Sequence, residues 1–412
     1  MSIVVQKYGG TSVGTTDRIQ AVADRVVRYR EDGHDVVVVV SAMGDTTDEL
    51  LAMAQDVAAV PEPRELDMLL TAGERIAMSL LAIAVNARGC RAASYTGSQA
   101  GIITDTQHGK ARIVDIRPGR IKESLEAGNV VIVAGFQGLS TSYDITTLGR
   151  GGSDTTGVAL AAALGAEVCE IYTDVDGVYT ADPRIVPGAR KISRISYEEM
   201  LELAASGAKV LQLRSVEYAR RNNVPIHVRS SFDEEPGTWV VKEEEVGMEQ
   251  ALISGVALDD EEAKVTLEQV PDQPGVAAAI FKAVAAEGVN VDMIVQNISH
   301  QGTTDMSFTV PRAELPRLRP TLERLTAQIG APRFSTDDAI AKVSLVGAGM
   351  KSNPGVAADM FDALASEGVN IEMISTSSIR VSCVVRAADG ARAVRAIHER
   401  FGLGDGGPTV AE

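Results

Sequence analysis

Cysteine is scarce in this chain, and the few that occur stand far apart. Cys90, Cys169 and Cys383 are the three cysteines among 412 residues, and no two of them form a Cys-x-x-Cys pair. Neither a disulfide framework nor a zinc site is therefore indicated. The five histidines are also isolated from one another. No metal site built from protein side chains is predicted, because no ligand spacing is present.

The sequence also lacks basic runs and long apolar runs. Acidic residues outnumber basic ones by 56 to 39, which gives a formal net charge of −17 and argues against a nucleic-acid-binding surface. No apolar run approaches the ~20 residues that span a bilayer, and the N-terminal residues lack the layout of a signal peptide. We therefore expect a cytoplasmic protein with no membrane and no nucleic-acid partner.

What the chain does contain is typical of a globular protein with a full core. Hydrophobic residues make up 45% and charged residues 23% of the sequence, and its length predicts two or three domains. Continuous β-branched runs at 36–40 and 130–133 are typical of parallel strands buried on both faces, and further strands are predicted at 167–173 and 225–228. Helical stretches lie between them. The N-terminal part is thus predicted to be an α/β domain with a mostly parallel sheet covered by helices.

Two glycine-rich loops stand next to predicted elements of this domain. The first, Lys7 to Ser12, follows a short strand, and the second, Leu148 to Thr156, leads into an alanine-rich helix. Glycine lets the backbone approach a ligand closely, and the N–H groups at a helix start attract anions. Arg150 can grip a carboxylate or a phosphate with two parallel hydrogen bonds. Together the loops indicate a phosphate-transfer site.

Neither loop matches a common nucleotide fingerprint. Gly9 and Gly14 have the spacing of a P-loop, but Thr15 and Thr16 stand where Lys and Ser/Thr should follow. The second loop has Asp154 where a Rossmann fingerprint needs its last glycine. A nucleotide site in this chain therefore belongs to another family.

The C-terminal part contains an internal repeat. The segment 274–278 returns as 354–358 and the segment 287–294 returns as 367–374, both with an offset of 80 residues. A polar stretch at about 236–250 precedes the repeat and suits a linker. Each copy reads as strand, helix, strand and further strand material. A duplicated module that serves only packing or dimerisation remains an alternative to a binding role.

These features together resemble the aspartate kinases of the amino-acid kinase superfamily, with a pair of ferredoxin-like (βαββαβ) ACT domains that bind free amino acids. The resemblance covers nearly the whole chain and rests on several motifs in order. They are Lys7-Tyr8-Gly9-Gly10-Thr11-Ser12, Val40-Ser41-Ala42-Met43-Gly44-Asp45-Thr46-Thr47, Thr71-Ala72-Gly73-Glu74-Arg75, the Arg150 loop, the run from Thr173 to Arg184, and Gly207-Ala208-Lys209-Val210. The domains expected on this basis are 1–240 (kinase), 251–335 (first ACT) and 336–412 (second ACT).

The resemblance implies transfer of a phosphoryl group from ATP to the side-chain carboxylate of L-aspartate, giving 4-phospho-L-aspartate. This reaction begins the route to lysine, threonine and methionine, and feedback inhibition by lysine, threonine or both is expected. Mg2+ is expected to be held mainly by ATP phosphates and water. Two alternatives stay open: another enzyme of the superfamily, acting on glutamate, carbamate or a nucleoside monophosphate, and a non-catalytic amino-acid sensor.

The family's site residues map onto matching positions of this chain. Lys7 is expected to stabilise charge on the transferred phosphoryl group. For Asp154, pairing with Lys7 or another cation, holding Mg2+ through water, and capping the following helix all remain open. The expected acceptor site comprises Ser41, Thr47, Glu74, Arg150 and Ser153. The expected nucleotide site comprises Lys7, Gly9, Gly10, Thr173, Asp174, Tyr179, Asp182, Arg184 and Lys209.

The repeat supplies the candidate effector residues. In the first copy they are Asp272, Gln273, Gly275, Asn290, Asp292 and Gln296, and in the second they are Ser352, Asn353, Gly355, Asn370 and Glu372. Asp272 corresponds to Ser352, so the two pockets are expected to differ chemically, either holding different ligands or leaving one site empty. Pairing of ACT domains across chains predicts a homo-oligomer. Met248 is a possible start of a separately translated regulatory subunit, although an ordinary linker methionine is the simpler account.

Overall fold

The structure is a computed structural model that describes residues 2–246, 252–297 and 302–404. The chain forms two compact units. The first comprises Met1–Val178, Lys191–Ala204 and Lys209–Met248, and the second comprises Tyr179–Arg190, Ala205–Ala208 and Glu249–Glu412. Met248, the possible start of a separate subunit, lies outside the described residues.

The strands and helices up to the linker alternate along much of the chain. The strands are β1 (Ile3–Tyr8), β2 (Asp35–Val40), β3 (Ala92–Tyr95), β4 (Ile102–Thr104), β5 (Ile113–Ile116), β6 (Val130–Ala134), β7 (Gln137–Ser140), β8 (Ile145–Thr147), β9 (Val168–Thr173), β10 (Val178–Tyr179), β11 (Lys191–Ile192), β12 (Arg194–Ser196), β13 (Ile226–Ser230) and β14 (Thr238–Val241). The helices are α1 (Thr16–Glu31), α2 (Thr46–Val57), α3 (Pro63–Leu70), α4 (Ala72–Ala87), α5 (Gly119–Glu126), α6 (Gly152–Leu164), α7 (Tyr197–Ala205), α8 (Leu213–Asn222) and α9 (Glu243–Val246).

The first unit is built on an eight-stranded sheet in the order β12-β14-β13-β9-β1-β2-β6-β3. The pairs along β13-β9-β1-β2-β6-β3 are all parallel, and β14 runs antiparallel to β13. Residues 36–40 of β2 are five consecutive valines with no exposed surface, as expected for a strand covered by helices on both faces. The predicted mostly parallel α/β domain is thus confirmed.

A smaller sheet in the order β5-β4-β7-β8 leads to the second glycine loop. Its last strand, β8, ends at Thr147, directly before Leu148. Helix α6 then begins at Gly152, and its N-cap residue is Gly151 in the left-handed conformation, with no side-chain cap. The proposed capping role for Asp154 is therefore wrong, because this residue lies inside the first turn of the helix.

One stretch of the described chain meets the length and apolarity criteria for crossing a membrane. It is the 25-residue segment Pro63–Ala87, and half of its most apolar window is buried inside the structure. The sequence alone did not predict a segment of this length. It consists of two helices, α3 and α4, that are joined at Thr71. A core helix meets the same criteria, and Ala77, Leu81 and Val85 of α4 belong to the core beside the sheet. The segment is therefore weak evidence for a span, and the cytoplasmic location stays a prediction.

The second unit contains the repeat. Its strands are β15 (Gly255–Asp259), β16 (Glu262–Pro271), β17 (Asp292–Gln296), β18 (Thr303–Pro311), β19 (Arg333–Asp337), β20 (Ile340–Val346), β21 (Met373–Thr376) and β22 (Arg380–Arg386). Its helices are α10 (Val276–Ala286), α11 (Leu315–Ile329), α12 (Val356–Ser366) and α13 (Gly390–Arg400).

The two copies of the repeat form two four-stranded sheets. The first module has the order β17-β18-β16-β19, with every neighbouring pair antiparallel. This is the predicted βαββαβ arrangement. The second module has the order β15-β20-β22-β21, so its outer strand beside β20 comes from chain that precedes the first module. The boundaries 1–240, 251–335 and 336–412 stay predictions, and sheet membership crosses them at β15.

Each module has its own apolar core, and a small cluster joins the two. Met293 of the first module packs with Ile340, Met373 and Val384 of the second. The segment Tyr179–Arg190 also belongs to this unit: Ala181 and Ala189 are buried in the core of the second module. There the Thr180 hydroxyl donates a hydrogen bond to the Leu403 carbonyl at 3.0 Å and contacts His398 Nε2 at 3.0 Å.

Candidate functional site

The motifs of the first unit meet at the carboxyl edge of its parallel strands. In the sheet register Tyr8 lies level with Val40 and Tyr172, and Val40 lies level with Ala134. The residues that follow these positions are Gly9, Ser41, Gly135 and Thr173. Open parallel sheets bind ligands at this edge, so four loops of the predicted site come together there.

Lys7 and Asp154 form an ion pair at the centre of this edge. Lys7 Nζ lies 2.5 Å from Asp154 Oδ1, and both side chains are about nine-tenths buried. Asp154 stands in the first turn of α6, where the helix dipole stabilises a negative charge. Among the described residues no hydrogen bond of good geometry reaches this carboxylate oxygen. Of the options left open for Asp154, the structure shows the pairing with Lys7.

The first glycine loop and the loop after β2 are bonded to each other. The N–H of Gly44 donates to the carbonyl of Gly10 at 3.0 Å, and the N–H of Gly9 donates to the carbonyl of Tyr172 at 3.1 Å. Loop 9–12 is therefore fixed to β9 on one side and to loop 41–44 on the other. Its position next to Lys7 places backbone N–H groups and an ammonium at one sheet edge, which suits an anion.

Glu74 is a buried carboxylate with one oxygen unused by the protein. It lies in the first turn of α4 with 3% of its surface exposed. Oε1 accepts a hydrogen bond from the N–H of Ala42 at 3.2 Å, whereas Oε2 has no hydrogen-bond partner among the described residues. The close approach requires glycine at position 73, because a Cβ atom there would lie 2.7 Å from Cβ of Ala42.

Burial controls the charge of Glu74. It raises the pKa of this carboxyl to about 7, against the opposing effect of the backbone N–H groups of Glu74 and Ala42. A cationic ligand would stabilise the charged form of this buried carboxylate, because it would supply the partner that the unpaired oxygen lacks. Its unpaired oxygen is suited to an ammonium group.

The remaining predicted acceptor residues lie on the same loops or in the first turn of the helices that follow them. Ser153 is buried at the start of α6, whereas the side chain of Arg150 is exposed. Ser41 directly follows β2, and Thr47 lies in the first turn of α2; both are half-buried. Their roles in acceptor binding stay predictions.

The predicted nucleotide residues divide between the two units. Thr173 is the last residue of β9, and its hydroxyl donates to Asp174 Oδ1 at 3.0 Å. Lys209 is exposed in the first unit. Tyr179, Asp182 and Arg184 belong to the second unit, where Arg184 pairs with Asp182 at 2.6 Å. Their place in an adenosine site stays a prediction.

A cavity in the first module contains most of the effector residues predicted for that copy. Its volume is about 340 Å³, and its lining includes Asp272, Gln273, Gly275 and Gln296. The sequence did not single out Met306, which also lines the cavity, because this residue comes from β18, which is distant in the chain. The turn before α10 thus borders a space of the size of a small ligand.

The corresponding turn in the second module is bonded to itself. The side-chain amide of Asn353 donates to the carbonyl of Gly349 at 2.9 Å, and the hydroxyl of Ser352 donates to the same carbonyl at 3.2 Å. Gly355 and Asn370 are exposed. The two copies therefore differ in the structure of this turn as well as in the change from Asp272 to Ser352.

Asp292 and Glu372, predicted as effector ligands, form ion pairs across the two modules. Lys342 Nζ lies 3.0 Å from Asp292 Oδ2, and Lys264 Nζ contacts Glu372 Oε2. The lysines occupy equivalent places in the Ala-Lys-Val sequences at 263–265 and 341–343, so the repeat makes the same contact in both directions. Burial opposes ionisation of Asp292, but the Lys342 ammonium, the N–H of Met293 and the charge of Arg380 together outweigh it and hold the pKa of Asp292 below its usual value.

Comparison with known proteins agrees with this architecture. The amino acid kinase family profile matches residues 2–230, and ACT domain profiles match residues 265–329 and 343–401. An aspartokinase of Mycolicibacterium smegmatis is 58% identical over 408 residues, covering 98% of this chain and 97% of the relative.

The chain belongs to the aspartokinase family.

Solved structures of this family share its fold. E. coli aspartokinase III in complex with aspartate and ADP (R-state) has a TM-score of 0.85 and 27% identity, over 97% of this chain and 99% of that chain. The same enzyme in complex with lysine and aspartate (T-state) has a TM-score of 0.75 with the same identity and coverage. As a member of the aspartokinase family, the chain is an ATP-dependent kinase with ACT domains.

Proposed function

We propose that this aspartokinase-family chain transfers the γ-phosphoryl group of ATP to the side-chain carboxylate of L-aspartate, giving 4-phospho-L-aspartate and ADP. The observation that carries the proposal is the 2.5 Å ion pair of Lys7 and Asp154 beside the glycine loop, at the same sheet edge as Glu74 with its unused oxygen. E. coli aspartokinase III, which shares the fold, has been seen in complex with aspartate and ADP.

The chemistry requires positioning and charge neutralisation more than proton transfer. An oxygen of the acceptor carboxylate bonds to the γ-phosphorus, and the bond from that phosphorus to the β–γ bridging oxygen breaks, so that ADP leaves with the electron pair. The acceptor is already an anion, and no general base is needed. Lys7 and the N–H group of Gly10 stabilise the charge on the transferred group.

Glu74 and Arg150 hold the two ends of the amino-acid acceptor. The unused oxygen of Glu74 binds the ammonium group, and Arg150 forms a bidentate pair with a carboxylate. Ser41, Thr47 and Ser153 donate further hydrogen bonds. Glutamate, one methylene longer, would displace either its ammonium or its reacting carboxylate from these groups, which favours aspartate.

ATP binding is assigned to the loops at the ends of β1 and β9. Asp174 accepts a hydrogen bond from a ribose hydroxyl, with Thr173 beside it, and Lys209 contacts phosphate. Tyr179, Asp182 and Arg184 stay predicted nucleotide ligands on the basis of the sequence motif alone. Mg2+ would be held mainly by the ATP phosphates and water, where it would neutralise phosphate charge. The described residues contain no group of three His, Cys, Asp or Glu side chains that could hold a metal, and the lone carboxylate of Asp154 fits an ion that keeps most of its waters.

The reaction is tested by trapping the acyl phosphate with hydroxylamine. Purified protein with ATP and Mg2+ is assayed with L-aspartate, with L-glutamate and without acceptor. Aspartate-dependent hydroxamate that is lost in Lys7→Ala is the expected result. Product with glutamate alone would indicate another enzyme of the superfamily. The absence of product, together with tight binding of amino acids, would contradict the kinase proposal and favour a sensor.

Feedback regulation is assigned to the cavity of the first module. Asp272 and Gln273 line it beside the N–H groups at the start of α10, a combination that suits the ammonium and carboxylate of a free amino acid. Lysine, threonine or both are the proposed effectors, as end products of a pathway from 4-phospho-L-aspartate. Calorimetric titration with each amino acid tests this, and Asp272→Ala should abolish the effect of the one that binds.

A homo-oligomer joined through the ACT modules is also proposed. Ile294 and Ile374 occupy equivalent positions on the outer strands β17 and β21, and their surfaces are 50% and 44% exposed. Edge strands with exposed apolar side chains favour pairing with another chain. Light scattering should show a multimer that the double variant Ile294→Lys/Ile374→Lys converts to smaller species. A monomeric wild-type chain would contradict this assignment.

A further inference from the structure

We infer that Asp67, which lies on α3 and outside the recognised motifs, positions the Arg150 loop and thereby determines affinity for the amino-acid acceptor. Only 1% of its surface is exposed. A buried carboxylate is costly unless it is fully paired, so its location in the interior of the first unit calls for a role. The inference rests on the proposed function, in which Arg150 binds a carboxylate of the acceptor.

The carboxylate of Asp67 joins two other segments of the chain. Oδ1 accepts a hydrogen bond from the hydroxyl of Thr147 at 2.5 Å, and Oδ2 lies 2.8 Å from Nδ1 of His108. The N–H of Gly109 donates to both oxygens at 3.1 Å. One side chain thus connects α3, the turn between β4 and β5, and the end of β8.

The turn between β4 and β5 in turn supports the Arg150 loop. The N–H of Ala111 donates to the carbonyl of Thr147 at 2.9 Å. A Cβ atom at position 149 would lie 3.0 Å from the carbonyl oxygen of Gly109, so the two backbones are in direct contact. From the other side Arg214 donates to the carbonyls of Leu148 at 2.9 Å and Ala111 at 2.8 Å.

These contacts fix the backbone on which an exposed arginine stands. The side chain of Arg150 is exposed, and its flanking residues Gly149 and Gly151 both have left-handed φ angles. Such a loop has little rigidity of its own. Asp67 reaches it through Thr147 and Gly109 and is therefore a positioning residue.

The test separates the two substrates. Asp67→Asn keeps the shape of the side chain but removes the charge and one acceptor. It should raise the KM for aspartate about tenfold, because a small displacement of a binding group has a large effect, and should leave the KM for ATP within about twofold. Glu199→Gln is the matched control: Glu199, on α7, is also a buried acid of the first unit, and it accepts a hydrogen bond from the hydroxyl of Ser196 on β12.

A double-mutant cycle identifies the route. If Asp67 acts through Arg150, adding Asp67→Asn to Arg150→Ala should not raise the KM for aspartate further. Additive effects, or an equal rise in both KM values, would overturn the inference. Thr147→Val removes a single donor to Asp67 and replaces Asp67→Asn in the cycle if that variant does not fold.

A second measurement is independent of the reaction. Hydrogen exchange at residues 148–152 should be faster in Asp67→Asn than in the wild type and in Glu199→Gln. Unchanged exchange would overturn the inference even in an active enzyme. If the wild type does not phosphorylate aspartate, the proposed function fails, whereas faster exchange in Asp67→Asn would still support the positioning role.

Discussion

The carboxylates at the sheet edge of the first unit and those at the junction of the two ACT modules differ in how they are paired. In the first unit, Glu74 Oε2 has no hydrogen-bond partner among the described residues, and Asp154 Oδ1 pairs with Lys7. In the second unit, Asp292 is paired with a lysine of the other module, and Glu372 contacts Lys264 and also Arg386 at 3.1 Å. Glu74 can therefore accept a further partner from a ligand, whereas Asp292 and Glu372 already pair with cations of the protein.

At these positions the difference distinguishes carboxylates suited to binding a ligand from carboxylates that stabilise the fold. An unpaired polar atom in the interior costs free energy, and its retention indicates a missing partner. A paired one is consistent with a structural role. The effector role predicted for Asp292 and Glu372 stays a prediction, but their ion pairs favour a role in joining the modules, while the cavity beside Asp272 remains the better candidate for a ligand.

The largest effect is expected at the buried cation of the second unit. Lys342 has 1% of its side chain exposed and lies within 4 Å of carboxylates of Asp259, Glu262 and Asp292. Lys342→Met leaves these acids without their cation and should lower the free energy of unfolding of the second unit by about 3–5 kcal/mol. Urea unfolding followed by circular dichroism measures this.

Lys264→Met is the matched variant. Its side chain is 21% exposed, and Glu372 keeps Arg386 as a partner, so the loss should be about 1 kcal/mol. Equal losses for the two lysines would contradict the distinction between a saturated buried pair and a partly exposed one.

Removal of the Lys7 ammonium from the carboxyl edge of the sheet should lower the turnover rate. Lys7→Ala removes a positive charge from the developing phosphoryl group, and kcat should fall about 10²–10³-fold. The hydroxamate assay measures the change. Lys191→Ala, which breaks the 3.0 Å pair with Asp176 in the same unit, should leave kcat near the wild-type value; a similar loss there would point to general destabilisation.

Glu74 should make the stability of the first unit depend on pH. Its folded pKa of about 7 lies above the ordinary 4.5, so its contribution is fully present below pH 4.5 and is lost as the pH rises through 7. Glu74→Gln does not titrate. Relative to the wild type, the variant should gain about 3 kcal/mol of unfolding free energy between pH 4 and pH 8. A constant difference across this range would show that Glu74 has an ordinary pKa.

The same titration should appear in substrate affinity, with a smaller effect. The ionised form of Glu74 binds the ammonium of aspartate, and its fraction falls about tenfold from pH 8 to pH 6 when the pKa is about 7. The KM for aspartate should rise by a similar factor, whereas the KM for ATP should not follow this titration. Steady-state kinetics with Glu74→Gln, which should show a high and pH-independent KM, provide the control.

The local sequence pattern was sufficient to predict the parallel sheet and the meeting of the site loops at one edge of it. The β-branched run at 36–40 predicts a buried strand because every residue in it avoids water, and the carboxyl ends of parallel strands share one edge. Lys7, Glu74 and Asp154 were found by motif. The pairing of Lys7 with Asp154 was one of several options, since sequence does not show which cation a carboxylate meets.

Contacts between residues that are distant in the chain could not be predicted from the sequence. Asp67 resembles any helical acid until its donors at 108, 109 and 147 are known, and no local signal connects these positions. Strand β15 stands directly before the first module, yet it pairs with β20 of the second. The sequence did not predict this pairing, because the backbone groups that pair two strands are the same in every residue other than proline. The repeat did contain one usable signal: the shared Ala-Lys-Val sequences place Lys264 and Lys342 at matching points of the two modules.

The placement of β15 has a consequence for how the protein is made. During synthesis β15 leaves the ribosome before the entire first module, and its partner β20 follows only after residue 339. The first module can close its sheet as soon as β19 appears, because all four of its strands are contiguous in the chain. The second must wait with an open edge at Gly255–Asp259, so the nascent chain exposes an unpaired strand for the time needed to translate about 80 residues.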